Sequence, residues 1–146
     1  GVEGRLIRIQ MEELVSNIEE EALLLIKDYM KDSESDPYAI LRQLNKLSSE
    51  ELFDESVIMK LLGFSAGMNM QDETIHPRGY RILAKIPRLP SVIIENLTDA
   101  FDNLPQILRA SIDELDEVEG IGEIRARKVK EGLKRIQEQL FVDRHI

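Results

Sequence analysis

The chain has 146 residues, 42% hydrophobic and 32% charged, which is enough apolar mass for one globular domain or two small ones. Its longest unbroken apolar run is Ala22 to Ile26 and its first residues carry no basic, cleavable leader, so neither a membrane partner nor secretion is expected and a cytoplasmic location is. With no cysteine, only His76 and His145, and a net charge of −9, the composition argues against disulfides, thiolate chemistry, metal and cofactor, and at first sight against nucleic acid.

From Arg5 to Lys31 there is neither Gly nor Pro, and Ile7, Met11, Leu14, Ile18, Ala22, Leu25 and Tyr29 recur at spacings of three and four, which predicts one long amphipathic helix. Glu12, Glu13, Glu19, Glu20 and Glu21 fill its other face, the pattern of a solvated surface rather than of a catalytic cluster. Asp36-Pro37 reads as an N-cap followed by proline, opening a short helix to about Leu47. Ser48 and Glu51 have capping-box spacing and open a third helix that should end near Leu62-Gly63. Gly63 to Thr74 is poor in periodic apolar residues and reads as a linker, with Met59, Met68 and Met70 as core and linker filler. The expected fold is all-α, with an acidic three-helix linker or assembly domain over residues 1–70 and a second domain over 71–146.

The acidity is confined to the first half. Residues 1–74 carry 7 Lys+Arg against 16 Asp+Glu, whereas residues 75–146 carry 12 of each, and residues 124–135 hold Arg125, Arg127, Lys128, Lys130, Lys134 and Arg135 against Glu131 alone. The second half also repeats itself. Leu83, Ile86, Leu89, Pro90, Ile94 and Leu97 fall over Leu115, Val118, Ile121, Gly122, Ala126 and Val129 at a constant offset of 32, which predicts two stacked helix-turn-helix units joined by Thr98 to Pro105. Ser111 and Glu114 form the capping box of the second unit, and His76 before Pro77 reads as a turn residue.

Gly120-Ile121-Gly122 joins its two helices through so few residues that backbone conformations cheap only for glycine are expected, with Ile121 plugging the core. The amides from Gly120 to Ile124 should then lie at a helix N-terminus, a natural phosphate site. On a helical wheel Ala126, Val129, Leu133 and Ile136 share one arc, leaving Arg125, Lys128 and Arg135 on one flank and Arg127, Lys130 and Lys134 on the other. Such a surface reads phosphates and not bases, so DNA binding independent of sequence is expected. Candidate contacts are Gly120, Ile121, Gly122, Ile124, Arg125, Arg127 and Lys128, with Arg78, Arg81 and Arg88 from the first unit.

Val118-Glu119-Gly120-Ile121-Gly122 with Ala126 and Val129 resembles the helix-hairpin-helix motif, with Glu119 in place of the usual proline; the first copy keeps Pro87 but has Arg88 and Pro90 for the two glycines. The stretches His76 to Leu83, Ile86 to Pro90 and Glu114 to Arg127 and the ending Asp143-Arg144-His145-Ile146 are similar to the C-terminal region of the bacterial DNA integrity scanning diadenylate cyclases. That resemblance implies a tandem helix-hairpin-helix domain that binds branched or junction DNA, a preceding linker domain and a homo-oligomer. It also implies a separate N-terminal domain making cyclic di-AMP, whose Asp-Gly-Ala and Arg-His-Arg motifs this chain lacks, so the chain itself is expected to be no enzyme. A DNA-glycosylase reading has one foothold in Asp143, 21 residues past Gly122. Weighing against it, the lysine usual just after the hairpin is replaced by Ile124, nothing forms a base-accepting pocket, and Glu123 to Phe141 reads as one helix that does not return an Asp to the hairpin. The alternative to DNA binding is a protein-interaction or oligomerisation module.

Overall fold

The computed structural model describes residues 1–65 and 75–145, with the side chains of 1–65 and 75–140. Most of the expected linker, residues 66–74 with Met68 and Met70, therefore lies outside the described residues. All regular structure among the described residues is helical, and none of these helices is long and apolar enough to cross a membrane. The chain divides into two compact units, Gly1–Thr74 and Ile75–Ile146.

In the first unit α1 spans Val2–Tyr29, as the spacing of three and four predicts. Only its C-terminal end is buried: Ile26 and Met30 pack with Ile40 and the flanking Leu41, Leu44 and Leu62. α2, Pro37–Asn45, begins where Asp36 accepts a hydrogen bond from the Tyr38 amide and proline occupies the first turn. The single third helix expected from Ser48 to Leu62 is instead two helices, α3 over Ser49–Leu52 and α4 over Glu55–Leu61. The Ser48–Glu51 capping box forms as expected, but Asp54 interrupts the run by capping a new helix. Its carboxylate accepts from the Ser56 amide at 3.0 Å and the Ser56 hydroxyl at 2.7 Å, and the latter bond is the main reason its pKa lies below the usual carboxylate value. The acidic unit thus has four helices among its described residues, not three.

The second unit contains α5 (Tyr80–Leu83), α6 (Ser91–Ala100), α7 (Leu104–Arg109), α8 (Ile112–Asp116) and α9 (Glu123–His145). α5-turn-α6 and α8-turn-α9 are the two repeats, and α7 is a correction to the reading of Thr98 to Pro105 as a plain connection. Asn103 caps α7 through the Gln106 amide, Pro105 sits in its first turn, and it adds Leu104 and Ile107 to the buried residues.

Positions paired by the offset of 32 are buried together: Leu83 with Leu115, Ile86 with Val118, Ile94 with Ala126 and Leu97 with Val129 all belong to one core. Each leucine, isoleucine or valine among them withdrawn from water stabilises the unit by about 1.5–3 kcal/mol, which is why the repeat pattern fixes the fold. The two units of the repeat also interlock. Ile86, from the first turn, lies against α9 at Gly132, where an added Cβ would stand 3.1 Å from its side chain. Reciprocally, the second turn rests on α6, where Asn96 Nδ2 donates to the Glu119 carbonyl at 2.9 Å.

Candidate nucleic-acid interface

The two hairpin turns share three backbone hydrogen bonds at equivalent positions, and the first adds one from Ile93 N–H to Pro90 C=O that Arg125 does not repeat. Ile86 N–H donates to Leu83 C=O as Val118 N–H does to Leu115 C=O, Leu89 to Ile86 as Ile121 to Val118, and Ile94 to Pro90 as Ala126 to Gly122. The left-handed residue falls at the same place in both, Arg88 at φ +63° and Gly120 at φ +82°. Such a conformation costs a residue bearing a Cβ on the order of 1 kcal/mol. Gly120 therefore meets the conformational need expected of it, and a Cβ there would also stand 2.7 Å from the Ile93 side chain.

Gly122 departs from expectation. Its φ is not positive, and a Cβ built on it would meet nothing within 4 Å. Neither backbone conformation nor internal packing calls for glycine there, and the expectation that a side chain at 122 would strain the corner is corrected. The equivalent Pro90 makes the same point, capping α6 in an ordinary extended conformation at φ −64°, ψ 148°.

Since Ala126 N–H bonds the Gly122 carbonyl at 2.9 Å, Gly122 is the residue from which α9 starts. Among the described residues the N–H groups of Gly122, Glu123, Ile124 and Arg125 have no hydrogen-bond acceptor, and they carry the positive end of a 23-residue helix. Ile121 is corrected as a donor: its amide is bound to Val118 C=O at 3.0 Å and its side chain is buried in the core, so it serves as the plug and not as a contact. Ile124 stands at the other extreme, 74% exposed beside the free amides, and its counterpart Val92 is 61% exposed.

The basic residues sort into used and free. Arg127 pairs with Glu123 at 3.0 Å, and Lys130 donates to the Leu108 carbonyl at 3.1 Å, bracing α9 against α7. Arg125 folds back so that one guanidinium nitrogen donates to Gly120 C=O at 2.7 Å, making it a brace of the hairpin as well as a cation. Lys128 and Arg135 are exposed and form no ion pair with a described residue. In the first repeat Arg78 is half-buried and Arg81 exposed, and both are already engaged within the chain. Arg88 is exposed at the corner. The Glu123–Arg127 pair was legible as an i, i+4 spacing. Asn96 and Lys130 act over 23 and 22 residues of sequence, and no local pattern announces them.

Asp143, the foothold of the DNA-glycosylase reading, is not brought back to the hairpin. α9 runs unbroken through Gly132, which places the Asp143 backbone roughly 30 Å along the axis from Glu123 at about 1.5 Å per residue. No group of three metal-ligating side chains occurs among the described residues.

Comparison with known proteins follows the same division of the chain. Residues 1–71 match the family described as the DisA bacterial checkpoint controller linker region. Over all 146 residues the chain is 53% identical to the DNA integrity scanning proteins DisA of Bacillus pumilus (strain SAFR-032) and Bacillus subtilis (strain 168). Over 145 residues it is 52% identical to that of Bacillus mycoides (strain KBAB4). The chain spans 40% of the length of these curated relatives.

Proposed function

We propose that the chain is the linker and C-terminal region of a DisA-family protein and that it binds DNA without regard to sequence, preferring branched or junction DNA. The observation that carries this reading is Gly122: a residue without a side chain where the fold has room for one, directly beneath a row of unsatisfied amides. Space that the protein does not use itself suits the close approach of a phosphate. Lys128 and Arg135 add mobile charge, while Gly120, Ile124 and Arg125 shape the corner and supply amides. Arg127 contributes less, because Glu123 neutralises it. In the longer protein this region acts in the cytoplasm as the sensor, and a diadenylate cyclase domain outside the chain makes cyclic di-AMP.

Lys128→Ala tests the charge contribution with no structural bond at stake. It should weaken binding similarly on all sequences and lower the magnitude of the log–log salt slope by roughly 0.9 on duplex. An unchanged slope would move the interface off this flank.

A second reading, assembly through α1, is favoured by one observation. Ile7, Met11, Leu14 and Ile18 form an apolar stripe, and all four are exposed. Such a stripe on a long helix is suited to pairing with another helix. If α1 mediates a homo-oligomer, Leu14→Glu should lower the mass seen by light scattering without altering the circular dichroism of dilute protein; an unchanged mass would count against it.

A further inference from the structure

The two hairpins share a backbone and differ in charge. Residues 75–94 hold Arg78, Arg81, Lys85 and Arg88 with no acid, whereas the equivalent residues 107–126 hold Arg109 and Arg125 against Asp113, Glu114, Asp116, Glu117, Glu119 and Glu123. The counts are four cations and no acid against two cations and six acids. Up to the first turn of its second helix, the second hairpin is thus net acidic, its cations following further along α9 from Arg127 onward, whereas the first hairpin carries its cations around the turn itself.

Arg88 is the residue at the corner of that first hairpin, and among the described residues it is the one non-glycine with positive φ. The second hairpin uses glycine at this position. Glycine at 88 would relieve the conformation, and an exposed side chain does nothing for the core, so the fold gives no reason for arginine. No hydrogen bond or ion pair with a described residue holds its guanidinium. Its mount is stiff: Pro87 and Pro90 fix φ on either side, and Leu89 packs against the core. A guanidinium displayed this way is suited to a phosphate, which it can grip with two N–H groups, and less of its freedom is lost on binding.

We infer that the first hairpin is a second phosphate contact of opposite design, in which Arg88 grips the DNA backbone with its guanidinium where the second hairpin offers amides. The inference rests on the DNA-binding reading above. Backbone strain is retained at this corner in exchange for a charge that glycine lacks.

The test is a titration of the 146-residue chain with a four-way junction and a matched duplex at two salt concentrations, comparing wild type, Arg88→Gly, Arg88→Lys and Gly122→Val. Arg88→Gly should keep or raise the melting midpoint, weaken binding several-fold and lower the salt slope by roughly 0.9. Arg88→Lys should restore most of the slope. Wild-type affinity and slope in Arg88→Gly, alongside weakened binding by Gly122→Val, would overturn the inference alone and leave the first hairpin a scaffold. A lowered melting midpoint in Arg88→Gly would also overturn it, because the arginine would then serve the fold. Absence of any DNA binding by wild type would remove both readings together.

Discussion

Gly122→Val is expected to leave the protein folded and to weaken its DNA binding by roughly tenfold to a hundredfold, the equivalent of one charge-assisted hydrogen bond at about 1.5–3 kcal/mol. No charge changes, so the salt slope should move little; what is lost is close approach. The folding cost is small because the site is open, its φ is ordinary, and Pro90 already occupies the same place in the first repeat. Loss of glycine at the start of a helix costs at most about 1 kcal/mol. Gly122→Pro separates the two ingredients, since it removes the amide in a conformation that the first repeat shows to be compatible with proline. Thermal melts and titrations on both variants check this. Normal affinity in a folded Gly122→Val would make the hairpin a purely structural corner.

Two residues earlier the same substitution should act on the fold. Gly120→Val forces a β-branched residue to φ +82° and drives its Cβ into the Ile93 side chain, which is buried. Strain of about 1–2 kcal/mol and overpacking of about 1–3 kcal/mol add to a loss of roughly 2–5 kcal/mol. That is a large share of the stability of a unit this small. Urea denaturation should show a lower midpoint for the second unit, and an unchanged midpoint would mean that the corner is not built as described. Glycines two positions apart thus have separable duties, one to the fold and one to whatever approaches from outside.

That division was only half legible in the sequence. Gly120-Ile121-Gly122 announced a tight corner, because the paired apolar positions on either side left too few residues for an open loop. Which glycine is left-handed and which faces open space depends on the path of the chain against α6, and residue type alone carries no record of that path. The long repeat was legible because burial imposes the same spacing twice, from Leu83 to Leu97 and from Leu115 to Val129. α7 was hidden because six residues span less than two helical turns, too short for a period to show, although Asn103 and Pro105 marked its start. The break at Asp54 was hidden for a different reason. Leu52 and Phe53 continue the apolar run, but both are exposed, so nothing in the core held one helix together across the aspartate.

The basic face needed the structure most. Six cations in residues 124–135 look alike in the sequence, yet Arg127, Lys130 and Arg125 are drawn into bonds with Glu123, Leu108 and Gly120. What remains for an outside phosphate is a smaller set than the charge count implies. It lies beside amides rather than standing in for them.

The central claim, that this region binds DNA through its backbone phosphates and prefers branched forms, is tested most directly by titrating wild-type chain with a four-way junction, the matched duplex and the corresponding single strand at two salt concentrations. The account predicts tightest binding to the junction, indifference to its sequence, and affinity for both junction and duplex that falls steeply with salt. Binding that is absent, or that does not respond to salt, would contradict it.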